Sequence, residues 1–283
     1  MNTNIDNKAS RSTLMDRLEV DGAAIEYLVQ GEGEPVLLIP PAGTIDGLGI
    51  PLLAQPQLAA RYRLIHYHRR GYMGSSLGSD PLTIARQASD AAALLRHLRV
   101  KAAHIAGHSI GGIIALQLAV DAPDLVHSLV LLEPSLPMVP SGKAGLERLF
   151  LPIMNAYRAG DKRAAIETFC NSVFGPNWQA IVERAVPGGI EQAVRDADVT
   201  LQELPAIQRW QFGPVEAARI SQPILSVLGA YSSQFMKEGR LLLHSWFPQA
   251  EDLDVPTTHL LQMQDPQAVT RGLAEFFARH PII

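Results

Sequence analysis

Short apolar runs alternating with helix-patterned segments constrain this chain more than any other feature. Val36–Leu37–Leu38–Ile39 and Leu129–Val130–Leu131–Leu132 contain no polar residue. A strand with one solvated face alternates polar and apolar positions. A strand that is apolar throughout is covered on both faces, as in parallel sheets layered by helices. Leu64–Ile65–His66–Tyr67, Ala103–Ala106 and Pro223–Leu228 repeat the pattern less purely. Between them, Ile84, Ala88, Ala91, Leu95 and Leu98 follow helical spacing, and Gly111–Ala119 reads as an apolar helix. Parallel neighbours cannot be joined by a tight turn, so this alternation demands helical crossovers. The expected fold class is α/β, with a mostly parallel sheet flanked by helices.

Two strands precede this pattern, Arg17–Val20 and Ala24–Val29, split by the turn pair Asp21–Gly22. The alternation stops near Pro134. Residues 135–220 read as helical, with one stripe through Leu146, Leu149, Phe150, Ile153, Met154 and Tyr157 and prolines at 176, 187, 205 and 214. Strand and helix then resume with Phe235–Trp246, Asp252–Val255 and a last helix through Val269, Leu273, Phe276 and Phe277. The simplest division is an α/β core over 13–134 and 221–283, with a helical cap over 135–220. A chain of 283 residues accommodates both. Residues 1–12 are polar and read as a flexible tail.

Composition excludes several function classes. A net charge of −4 supplies no basic field for phosphates, so no nucleic acid is expected as partner. No run approaches the roughly 20 apolar residues of a membrane helix, and the start lacks the apolar run of a signal peptide. The expected location is the cytoplasm and the expected partner a small molecule. The sequence does not fix an oligomeric state. Cys170, the one cysteine, cannot form an internal disulfide and reads as inert packing.

Gly107–His108–Ser109–Ile110–Gly111 matches G-x-S-x-G between a strand and a helix, the context that makes the motif meaningful. The flanking glycines let the two backbones approach without Cβ clashes. Ser109 then projects above the strand ends, where such sheets bind ligands. The amide of Ile110 opens the helix and points toward a developing oxyanion.

At this point the chain resembles the α/β-hydrolase family over nearly its whole length. Tyr67–His68–Arg69–Arg70–Gly71–Tyr72–Met73–Gly74–Ser75 is similar to the family's loop D-x-R-G-x-G-x-S after its fourth strand, with His68 in place of Asp and Met73 in place of Gly. Neither position is catalytic in the family, but the exchanges bear on the loop's shape. A serine hydroxyl needs a base. The resemblance implies His259, in Thr257–Thr258–His259–Leu260 between the last strand and the last helix. The other histidines read as packed or solvated, and no pair of them with nearby acids has convincing metal-ligand spacing, so no metal and no cofactor are expected. Where relatives often have His-Gly in the oxyanion loop, this chain has Pro40–Pro41–Ala42–Gly43–Thr44. Proline has no N–H to donate, which leaves the amides of Ala42 and Ile110, with Gly43 as the fallback.

Most relatives carry the triad acid after the strand matching Pro223–Leu228. Here that turn is Gly229–Ala230–Tyr231–Ser232–Ser233, without a carboxylate. A minority of the family uses the end of the preceding strand, and this chain has Glu133 there. Zearalenone-type lactonases resemble it most in this respect, with a serine nucleophile and a glutamate at this place. The alternatives are an acid paired with a cap residue at Glu133, and triad roles for Asp252 or Asp254. The implied activity is hydrolysis of a carboxylic ester or lactone of a small, fairly apolar substrate through an acyl-enzyme. Hydrolysis of a carbon–carbon bond, cofactor-free dioxygenation and non-catalytic ligand binding remain open, because their key residues coincide. Gly43, His108, Tyr157, Trp178 and Trp210 are candidate pocket residues, with cap core as the alternative for the aromatic ones.

Overall fold

The computed structural model describes residues 15–283, apart from the side chains of residues 143, 144, 146, 147 and 149. The polar segment 1–12 and the stripe positions Leu146 and Leu149 therefore lie outside the described residues. Eight strands form one sheet: β1 (Asp16–Val20), β2 (Ala23–Gln30), β3 (Glu34–Ile39), β4 (Tyr62–Tyr67), β5 (Ala103–His108), β6 (Val126–Leu132), β7 (Ile224–Gly229) and β8 (Glu251–Val255). Their order is β1-β2-β4-β3-β5-β6-β7-β8. Pairings of β2 with β1 and β4 are antiparallel, and the rest are parallel. The strands expected from the apolar runs are all present.

Between β3 and β4 lie α1 (Asp46–Leu53) and α2 (Pro56–Ala59), and α3 (Ile84–His97) and α4 (Ile110–Asp121) flank β5. Thr83 caps α3 by accepting from the amide of Arg86. Six helices fall between β6 and β7: α5 (Pro140–Arg158), α6 (Lys162–Phe174), α7 (Trp178–Ala185), α8 (Gly189–Arg195), α9 (Ala197–Arg209) and α10 (Pro214–Ala217). The chain closes with α11 (Gln234–Trp246), α12 (Leu261–Gln264) and α13 (Pro266–Arg279).

Period-two alternation puts Leu37, Ile39, Ile105, Leu129 and Leu131 on one face, against α3, α4 and Leu243 of α11. Val36, Leu38, Ala106, Val130 and Leu132 take the other, against Leu48, Leu52, Leu273 and Phe277. Both faces are dry, which explains why these positions are apolar. Each of the Val, Leu, Ile and Phe side chains among them contributes about 1.5–3 kcal/mol on burial.

The topology also places the site. After β3 the chain turns to β4 on one side, and β5 pairs with β3 on the other. The crevice at the carboxyl ends of β3 and β5 is thus the switch point where open α/β sheets bind ligands. Ile39 pairs with Gly107, Gly107 with Leu131 and Leu132 with Val227. The segments following β3, β5, β6 and β7 therefore emerge side by side.

Candidate active site

Ser109 occupies the turn between β5 and α4 with φ 57° and ψ −118°, a backbone that β-carbon-bearing residues rarely adopt. The turn is tight enough to explain its glycines. A Cβ on Gly107 would lie 2.2 Å from the carbonyl oxygen of Gly111, and one on Gly111 would lie 2.1 Å from that of Ile39. Backbone bonds from Ser109 N–H to Leu132 O (3.0 Å) and from Ser135 N–H to Ser109 O (3.1 Å) tie the turn to the end of β6. Ser109 Oγ lies 2.9 Å from Ser135 Oγ. No sequence pattern marks Ser135, which lies two positions after Glu133.

Glu133 directly follows β6, also with a positive φ of 45°, and is 2% exposed. Its Oε2 accepts from His259 Nδ1 at 2.5 Å, and its Oε1 accepts from Gly229 N–H at 2.6 Å. A buried carboxylate needs such partners. The last residue of β7, just before the turn where the common pattern has an aspartate, thus contributes an amide donor. Ser232 is buried there without a hydrogen-bond partner for its hydroxyl. Asp252 and Asp254 lie on the outside of β8 and pair with His244 and Arg240. The structure brings Glu133, and neither of those two, to His259.

His259 is 2% exposed, and its Nε2 has no hydrogen-bond partner. Phe174 of α6 stacks on the ring at 5.9 Å between centroids. His108 supports it from below. His108 Nε2–H donates to the carbonyl of His259 (2.9 Å), and its Nδ1 accepts from Gln262 Nε2 (3.2 Å). Those partners assign its tautomer. Burial, reinforced by the neighbouring His259, holds the His108 imidazole well below its ordinary pKa, so it stays neutral.

The loop after β3 runs through Pro40 to Ile45, with Gly43 at φ 72° and Ala42 facing the cavity beside Ser109. Arg69, from the loop after β4, clamps it. Its guanidinium donates to the carbonyls of Pro40 and Pro41, both at 3.0 Å. The same group pairs with Glu203 of α9, which also accepts from Tyr72 Oη at 2.5 Å. This buried bridge from the β3 loop to α9 was invisible in the sequence, because its members lie far apart. Met73 takes φ 53°, so the loop keeps the left-handed turn that glycine makes freely in the resembling motif. His68 is held between Glu26 and Asp46.

A cavity of about 320 Å³ opens over Ser109. Ala42, Ile110 and Ser135 lie at its base, with Ile153, Phe169, Leu204, Ile207, Phe235 and Met236 among its walls. The candidate pocket residues do not line it. Trp178 is fully buried among Ile166, Val182 and Ala193, and its Nε1–H donates to Asn171. Trp210 stacks on Phe212 and donates to Gln117 of α4. Tyr157 donates to Asp198 on an exposed face, and His108 lies beneath His259. Gly43 borders a second cavity of about 210 Å³, together with Asp46, Met73 and Val182. Trp178 is thus core of the helical layer, and Trp210 is part of the core packed on the sheet. The aromatic rings on the cavity walls are Phe169 and Phe235, among aliphatic and a few polar side chains.

Among the described residues no helix is long and apolar enough to cross a membrane. The sequence profile described as "Alpha/beta hydrolase family" matches residues 36–278. A putative carbamate hydrolase RutD from Azorhizobium caulinodans is 39% identical over 109 residues, 38% of this chain and 40% of that protein. The chain likewise spans less than half the length of other curated relatives that it matches. Among the solved structures that cover nearly the whole chain are the following two. A hydrolase from Pseudomonas aeruginosa PA01 has a TM-score of 0.76 at 27% identity, covering 94% of this chain and 99% of its own. The enol-lactonase of Burkholderia xenovorans LB400 has a TM-score of 0.77 at 19% identity, covering 93% of this chain and 100% of its own, a likeness of fold. With a matching profile over most of its length, a mostly parallel eight-stranded sheet and a serine elbow at the switch point, this chain belongs to the alpha/beta hydrolase family.

Proposed function

We propose that this hydrolase cleaves a carboxylic ester or lactone of a small, fairly apolar substrate through an acyl-enzyme. Ser109 is the nucleophile, His259 the general base and Glu133 the acid. The observation that carries the reading is the polarity of His259. Its Nδ1–H is spent on a buried carboxylate, while Nε2 is left without a partner as a free acceptor. That tautomer is the one a base needs.

In this reading Ser109 leaves Ser135, gives its proton to His259 Nε2 and attacks the acyl carbon. Negative charge gathers on the former carbonyl oxygen, facing the amides of Ala42 and Ile110. Glu133 stabilises the imidazolium. His259 then protonates the leaving oxygen, and water cleaves the acyl-enzyme by the same route. The largely apolar walls support a neutral substrate body. We further propose that residues 135–220 act as the cap, since α5, α6 and α9 contribute Ile153, Phe169, Leu204 and Ile207 to those walls.

A second reading has its own observation. Ser109 Oγ rests on Ser135 and not on His259, as suits an enzyme whose histidine deprotonates the substrate directly. Carbon–carbon hydrolysis and cofactor-free oxygenation are of that kind. One experiment separates the two. Labelling with a fluorophosphonate, then turnover of a panel of esters, lactones and carbamates, is measured for the parent and Ser109→Ala. The acyl-enzyme reading expects Ser109 to be labelled and turnover to fall by several orders of magnitude in the variant. Turnover that survives the substitution overturns it.

A further inference from the structure

The loop after β3 and the end of β4 build a second cluster, away from Ser109. His66 and His68 sit two residues apart at the end of β4, and Asp46 opens α1 above them. Both ring nitrogens point at one oxygen. Asp46 Oδ1 lies 2.9 Å from His66 Nε2 and 3.2 Å from His68 Nε2, and the three donor atoms all fall within 4.8 Å of one another. We propose that Asp46, His66 and His68 form a binding site for a borderline divalent metal ion of the zinc type, one per chain.

Three observations carry this. First, ligand bonds of about 2.0–2.2 Å put neighbouring donor atoms about 3.0–3.4 Å apart in octahedral to tetrahedral arrangements. Of the two Asp–His separations one lies inside that range and the other just below it, so an ion can replace two protons with small shifts there. Second, His68 Nδ1 lies 3.1 Å from Glu26 Oε2. Ligating histidines characteristically have the second ring nitrogen held by a carboxylate, which fixes the ring and raises its basicity. Glu26 is itself steadied by Arg17 and the amide of Gly74. Third, Asp46 borders the cavity of about 210 Å³ next to Met73 and Gly189. That opening gives an ion a route in and gives water the remaining coordination positions. Two imidazoles and one carboxylate suit zinc, copper, nickel or iron, and not calcium or magnesium, which take oxygen donors.

The site is lopsided. His66 Nδ1 is buried without a partner and lies against Gly49, where a Cβ would come within 2.3 Å of it. A ligand lacking its outer partner binds about 10–100-fold more weakly, so micromolar affinity is expected. An ion here would join the β3 loop, which carries Ala42, to the end of β4. Without one, Asp46 accepts hydrogen bonds from both rings and the trio pins the same loop more weakly.

The test uses the full chain without an affinity tag, stripped with a chelator and titrated calorimetrically with Zn²⁺. Co²⁺ absorption serves as a second probe. One equivalent should bind, with a Kd in the micromolar range and a rise in melting temperature. His68→Asn and Asp46→Asn should each weaken binding at least tenfold, and Glu26→Gln about tenfold, while His127→Gln should not change it. Glu26→Gln keeps all three ligands, so it decides the matter even where a ligand variant fails to fold. Absence of stoichiometric binding, or binding indifferent to these substitutions, overturns the proposal and leaves a hydrogen-bonded pin.

Discussion

Glu133→Gln tests the acid assignment most directly, because the structure dictates how the amide must sit. Oε1 accepts from the amide of Gly229, a donor that cannot turn round. The glutamine oxygen must take that place, which turns its NH₂ toward His259 Nδ1. A donor facing Nδ1 forces the ring proton onto Nε2, so His259 loses the acceptor that Ser109 needs. The imidazolium also loses its counter-charge. Both effects together cost about 10⁴ in kcat when a triad acid is made neutral, or about 5.4 kcal/mol at 1.36 kcal/mol per tenfold. Folding should be little affected, since size and both hydrogen bonds are kept. The assay is steady-state turnover of an ester that labels Ser109, with thermal unfolding alongside. Ser232→Ala and Asp254→Asn are the controls and should stay within a few-fold of the parent. The reasoning is refuted if Glu133→Gln keeps activity within tenfold, and replaced outright if Asp254→Asn is the inactive variant.

Other outcomes follow from the same geometry. Ser135→Ala frees Ser109 from its resting partner, a hydrogen bond worth about 0.5–1.5 kcal/mol. Fluorophosphonate labelling should quicken by no more than about tenfold, and a large loss of turnover would make Ser135 part of the chemistry. Trp178→Ala should cost about 3–5 kcal/mol in urea unfolding, as for a buried ring, with substrate preference unchanged. Phe169→Ala, by contrast, should shift preference among acyl groups, and the reverse pattern would restore Trp178 to the pocket. Glu203→Gln strands the buried Arg69 guanidinium and should cost about 3–5 kcal/mol, much of it recovered in Arg69→Met/Glu203→Leu. Burial lowers the pKa of His104 to about 4, whereas the unfolded chain takes up that proton near about 6.5. Its contribution to stability is complete above that value and is lost as pH falls toward 4. His104→Gln should therefore flatten the acid-side fall in melting temperature, and parallel curves for parent and variant would contradict this.

The apolar runs and the serine elbow were legible from sequence because each is local. A strand dry on both faces must be apolar throughout, and a strand-to-helix turn that tight must have glycine where another backbone lies within about 3 Å. Glu133 and His259 could be singled out through the resemblance, and only folding shows what holds the Glu133 carboxylate beside His259: Gly229 offers it an amide across the sheet. The amphipathic reading of 135–220 located helices without saying which side chains face Ser109. Trp178 and Trp210 have the same composition signal whether they line a pocket or fill a core, and packing sends both inward. The bonds between Arg69 and Glu203, between Ser109 and Ser135, and between Asp46 and the pair His66 and His68 join segments far apart in sequence. Such contacts depend on the register of the strands and on where each loop folds back. No local pattern encodes those, so tertiary structure alone decided them.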